Sequence, residues 1–181
     1  MPTTVTSKIS TTNEFSFCTG QDNTNITLLD TKIKIGNKIG LSAAIGNYWT
    51  VDEGQHKDVP AFQLKAEYDI GNYFNAALRY RRLGSADQYR VIFGANYDIN
   101  KHNSISAETQ FSLKKSDKWS KSGSISVGHT YTFNNGVEIT NELEVGAPLN
   151  SDSPSIWHTL GDFKHPDKTW NLKVSVPIFK K

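Results

Sequence analysis

The chain has 181 residues, with 20 Lys and Arg against 18 Asp and Glu, a net charge of +2. That balance excludes the basic surface of a nucleic-acid binder, and no run of about 18 apolar residues marks a membrane helix. Mean hydropathy is −0.51, which still allows strands that alternate polar and apolar residues to cross a bilayer. Composition shows no break, so one domain is expected over 1–181. Cys18 is the sole cysteine and has neither a disulfide partner nor metal-ligand company. The first 15 residues, MPTTVTSKISTTNEF, hold no apolar core of a signal peptide.

Period-2 alternation runs through nearly the whole chain, and turn residues recur at short intervals. It predicts strands over 5–18, 26–36, 39–51, 59–70, 73–83, 88–99, 103–114, 122–133, 136–149 and 169–179. Asn13 interrupts the alternation of the first. The connections alternate in length. Gly36-Asn37-Lys38, Gly71-Asn72, Asn100-Lys101-His102 and Asn134-Asn135 are short and supply the positive-φ residues of tight hairpins. Residues 19–25, 52–58, 84–87, 115–121 and 150–168 form the longer set. Short turns on one rim and long loops on the other are the habit of membrane barrels.

Sorting each strand by parity separates two faces. Tyr89, Val91, Phe93, Ala95 and Tyr97 share one row, and Ile105, Ala107, Phe111 and Leu113 another. The opposing rows carry Lys32, Lys34, Lys65, Glu67, Arg79, Arg81, Arg90, Asp98, Glu108, Glu138, Glu142, Glu144 and Lys173. A soluble barrel with an apolar cavity for a small ligand would write the same pattern. Aromatics at the ends of the apolar rows favour an interfacial girdle, and the Ser124, Ser126, Gly128, Thr130 row favours a lumen short of space.

On this pattern the chain resembles a small outer-membrane β-barrel protein, of the porin or channel kind, over nearly its whole length. The last strand, WNLKVSVPIF, resembles the terminal strand of such barrels, although Phe179 falls out of phase with Val174, Val176 and Ile178. The resemblance implies an all-β, antiparallel up-and-down transmembrane barrel of about ten strands, with twelve as the other count. It also implies an outer membrane, of a bacterium or an organelle envelope.

On that reading the basic residues come from strands two to six and the acidic ones from strands seven to nine. Closure would set a positive wall of Lys65, Arg79, Arg81 and Arg90 against a negative wall of Glu108, Glu138, Glu142 and Glu144. Such a lumen would pass small hydrophilic or charged solutes, or ions, under a transverse field. If the walls pair instead, the barrel is a closed structural or adhesin-type scaffold. Trp157 and Phe163, in the longest loop, are candidates for a plug at the mouth. His158 and His165, with Asp162 or Asp167, have spacing of little specificity for a metal. His129 lies on an apolar row with Tyr131, not Ser, two residues on, so no catalytic set is expected. No cofactor fingerprint occurs, and the expected partners are membrane lipid and small solutes, without nucleic acid.

Overall fold

A computed structural model describes residues 9–20, 24–52, 55–115, 119–148 and 167–180. Ten antiparallel strands follow one another: β1 Ile9–Gly20, β2 Thr24–Ile35, β3 Ile39–Asp52, β4 Gln55–Ile70 and β5 Phe74–Leu83. They continue as β6 Ala86–Asp98, β7 Asn103–Lys115, β8 Trp119–Thr132, β9 Glu138–Pro148 and β10 Asp167–Lys180. Each pairs with its sequence neighbours, and β10 closes onto β1, so the sheet has no free edge.

The turns explain the hairpins. Gly36, Gly71 and Gly136 take positive φ, a conformation a side chain resists, and each turns the chain on one rim. At the fourth turn of that rim, Asn100 Oδ1 accepts from the backbone N–H of His102 and Asn103. On the opposite rim the expected loop over 84–87 is shorter. Gly84, at φ 58°, and Ser85 join β5 to β6 in two residues. Strands β4 and β8 begin earlier than their apolar patterns, at Gln55 and Trp119. Ladder pairing extends past the apolar stretch because the neighbouring strands offer partners there, such as Asp52 to Gln55 and Lys115 to Trp119.

Asn13 does not break β1. It pairs with Thr31 in register, and the Thr31 hydroxyl donates to its side chain. A bulge at the closing seam moves the pairing of β10 from Pro177 opposite Glu14 to Phe179 opposite Asn13. One extra residue therefore returns Phe179 to the register of the outer row, which accounts for its sequence phase.

The backbones of β2 and β3 come close at Gly46. A Cβ at Gly46 would lie 1.8 Å from the Thr27 carbonyl oxygen, so only glycine permits this approach of the two backbones.

Parity sets the two faces. The buried described residues are small or polar, Ile92 excepted: Ser16, Ala44, Ala61, Ala77, Ser112, Ser126 and Ser175, with Asp30, Gln63 and Gln110. The large apolar residues point out, among them Leu78 at 62%, Phe93 at 53% and Val127 at 59% exposed. A soluble barrel around an apolar cavity would show the reverse, so that alternative is excluded. Among the described residues, aromatics gather at both ends of the outer rows. Phe62, Tyr80, Tyr89 and Trp119 form a chain of ring contacts on the long-loop side, and Tyr73 meets Tyr97 on the turn side. Tyr89 and Tyr97 are eight residues apart, about 27 Å of strand. Tilted by roughly 40°, that spans about 21 Å of depth, close to the apolar band of a membrane barrel.

Candidate pore lining

Every charged residue that parity assigned to the inner row and that has a described side chain alternates with the outward apolar row. The lining splits into two halves. On β10, β1, β2 and β4 the charges pair, except for Asp30, which is buried on β2 with Oδ1 lacking a partner. Glu14 holds Lys32 at 2.8 Å and Lys173 at 3.6 Å across the closing seam. Lys34 Nζ reaches Asp69 at 3.0 Å, passing from β2 to β4 over Gly40 of the intervening strand. Lys65 pairs with Glu67, two residues on along the same face. A contact between strands two apart needs a concave surface, which identifies this face as the lumen. The expected positive wall is therefore narrower than the sequence reading, since its one lysine, Lys65, is already matched.

The other half leaves its charges apart. Lys65, Arg79 and Arg90 stand in one register row across β4, β5 and β6, each directly opposite the next. Like charges so placed repel. Arg81 lies one inward position further along β5. Among the described residues no carboxylate comes within 4.0 Å of the Arg79, Arg81 or Arg90 guanidinium; the ion pairs formed involve other cations. Neutral amides hold them instead. Arg81 donates twice to Gln63 Oε1, at 2.7 and 3.0 Å. Gln110 Oε1 accepts from Arg90 at 2.8 Å and from Arg79 at 3.3 Å. Its Nε2 donates to Glu108 at 3.4 Å, so a single amide links the cationic row to the first acid of the opposite wall. Arg79 Nε and Arg90 Nε have no protein partner.

The acids occupy the adjoining wall. Glu108 on β7, Ser126 on β8 and Glu144 on β9 form one register row, with Glu142 one inward position along β9. Glu108, Glu142 and Glu144 all lie within electrostatic reach of Arg90. Glu138 sits further towards the turn rim, opposite Thr132. Asp98 stands exposed at the end of β6 on that rim, apart from the others. Ser126 and Gly128 keep the β8 wall thin between the acids.

A cavity of about 560 Å³ opens inside the barrel against the paired half of the lining, on β1 to β5 and β10, with Arg79 at its border. Lys32, Lys173, Lys65, Glu67, Asp69 and Arg79 are among the residues that border it, from strands on opposite sides of the lumen. Gln63 and Gln110, which orient all three arginines, were not among the expected site residues. An uncharged amide attracts no attention by itself, but Gln110 lies in the inward row between Glu108 and Ser112, and that phase was readable. Trp157 and Phe163, with His158, Asp162 and His165, lie outside the described residues, as does the side chain of Asp167. His129 is exposed on the outer face near the turn rim, where Nε2 meets Asn103 Oδ1 at 3.1 Å.

No protein-family model and no curated protein matches the chain. Among solved structures, KdgM porin in complex with disordered oligogalacturonate is 11% identical, at TM-score 0.47 over 93% of this chain and 99% of that one. The outer-membrane expressed OmpT of Vibrio cholerae is 10% identical at TM-score 0.39. That match covers 85% of this chain and 56% of OmpT, so the chain spans little more than half its length. An anion-selective porin from Comamonas acidovorans is 11% identical at TM-score 0.40, over 85% of this chain and 55% of that porin. The chain resembles outer-membrane β-barrels. The likeness is one of class, in barrel architecture, and extends to no single member.

Proposed function

We propose that this barrel is a non-catalytic outer-membrane channel, in a bacterium or an organelle envelope, passing small hydrophilic or charged solutes through a narrow charged lumen. Ten strands enclose little more than their own side chains, so the passage is narrow. The observation that carries the reading is the arginine row Arg79, Arg81 and Arg90, set against Glu108, Glu142 and Glu144 without ion pairing. Charges kept apart in a lumen create a field across it, which orients and selects whatever passes. A scaffold that needed only stability would gain more by pairing them. Lys65 begins the row of Arg79 and Arg90; Glu67, Glu138 and Lys173 line the approaches, and Asp98 the rim.

Single-channel conductance in a planar bilayer tests the proposal. Folded protein should give discrete steps of small conductance, and replacing Arg79 and Arg81 with Gln should shift the ion preference. Folded protein that gives no steps refutes the channel and leaves a closed scaffold.

A further inference from the structure

The outer wall carries charge in one sector only. Among the described strand side chains, the charged residues at outward positions are Asp58, Arg82, Asp87, Lys115 and Lys121, all on β4 to β8 towards the long-loop rim. The outward rows of β1, β2, β3 and β9 are free of charge over the same residues. Arg82 and Asp87 answer each other, with Nε 3.9 Å from the carboxylate, and the Tyr80 hydroxyl donates to Asp87 at 2.7 Å. Lys115 and Lys121 make no ion pair among the described residues. A lysine on the lipid face is costly near the bilayer centre and nearly free at the interface. Both stand at interface depth. Lys115 Nζ lies 5.6 Å over the Trp119 ring, and Lys121 opposes Leu113, the neighbour of Tyr89 in the aromatic chain.

Below them the wall is hollowed. An apolar depression of about 720 Å³ runs across the outer face, bordered by Leu41, Leu64, Leu78, Val91 and Phe111, with Lys121 at its end. Gly123, opposite Phe111, adds no side chain to fill it. Its volume is within the range of sites that enclose a small molecule. An apolar trough bordered at headgroup depth by Lys121, with Lys115 on the neighbouring strand and neither lysine in an ion pair among the described residues, is complementary to one kind of molecule. We infer that the β3–β8 outer face is a specific site for a phosphate-bearing membrane lipid, its acyl chain in the trough and its phosphate between Lys115 and Lys121. The site requires the barrel to sit in a membrane and holds whether or not the lumen conducts.

The test is native mass spectrometry of the folded protein in neutral detergent, titrated with phosphatidylglycerol or with phosphatidylcholine of the same chains. Phosphatidylglycerol should add as one tightly held copy. Two interfacial lysines, each worth about fivefold beside an anionic headgroup, make the expected loss in K115Q/K121Q roughly thirtyfold. K114Q removes the same charge from an inward position and should bind as the parent does. V91W fills the trough with both lysines intact and should also lose the lipid. Equal binding of the two lipids, or of the parent and K115Q/K121Q, overturns the site. Unchanged binding by V91W overturns the role of the trough, and so does displacement of the lipid by glycerol phosphate at equal concentration. Retention of the heat-sensitive folded band on a gel verifies that each variant is a closed barrel.

Discussion

Gln110 offers a substitution that separates stability from selectivity. It is 4% exposed, its carbonyl oxygen accepts from Arg90 and Arg79, and its amide donates to Glu108. In Gln110→Glu both guanidinium bonds, already charge-assisted on the donor side, gain an ionised acceptor and strengthen. The bond to Glu108 is lost and a carboxylate repulsion replaces it, so net stability changes by about 1 kcal/mol or less. The electrostatic effect is larger. A unit charge about 6 Å from a passing ion is worth roughly 0.7 kcal/mol in water and about 2.8 kcal/mol at an effective dielectric of 20. The cation-to-anion permeability ratio, read from the reversal potential under a salt gradient, should rise at least about threefold. Gln110→Leu does the opposite. It keeps the charge of the row but strips both arginines of their acceptor, beside Nε atoms that already have none. That costs roughly 2–6 kcal/mol of unfolding free energy, at about 1–3 kcal/mol per lost bond to a charged group, with the permeability ratio little changed. A folded Gln110→Glu protein with the parent's ratio would mean that ions do not pass this row.

Three other outcomes follow from the same geometry. Glu14→Gln should lower the denaturant midpoint by the equivalent of about 1–2 kcal/mol, because it releases Lys32 and Lys173 at the closing seam; solvent screening of those lysines, 44% and 43% exposed, keeps the loss modest. An unchanged midpoint would show that the seam is held by its backbone ladder alone. Gly46→Ala places a methyl group 1.8 Å from the Thr27 carbonyl and should sharply reduce the yield of heat-modifiable barrel, while Gly40→Ala, whose new Cβ meets Glu67 Cβ at 3.6 Å, should fold normally. Equal yields would mean that the two backbones do not come so close at Gly46. Cys18, half-buried on the inner face of β1, should react with a small water-soluble methanethiosulfonate in the folded protein, as followed by mass. Labelling only after unfolding would contradict a water-accessible lumen.

Much of the architecture was legible because a strand's period is two and a barrel has two unlike faces. Tyr89 and Tyr97 at the ends of one row already placed an interface at each end, and the ring contacts with Trp119 and Tyr73 occur there. Gly36 and Gly71 announced their hairpins through the backbone they permit. The sequence was less informative where the answer depends on three strands at once. Nothing local tells that Lys34 will cross Gly40 to reach Asp69, so the basic residues read from strands two to six included lysines that closure neutralises. Phe179 looked out of phase because a bulge is invisible to parity. Gln63 and Gln110 were overlooked because charge, not hydrogen-bonding capacity, was the mark by which the lining was read.

The division of the lining into a paired and an unpaired half has a structural cause. Near the seam, acids and bases alternate between neighbouring strands, so Glu14 finds lysines on both β2 and β10. Over β5 to β9 the chain segregates them: arginines on β5 and β6, acids on β7 and β9, with serines of β8 between. Arginine and acid then meet on neighbouring strands only at β6 and β7, where Gln110 stands between Arg90 and Glu108 and takes the guanidinium bond itself. The glutamines thus act as insulators. They satisfy the arginines' donors without cancelling their charge, which a carboxylate in either position would do. The separation is a property of those two amides as much as of the charges they hold, and that is why the Gln110 pair of substitutions probes the lumen more directly than removal of any single arginine.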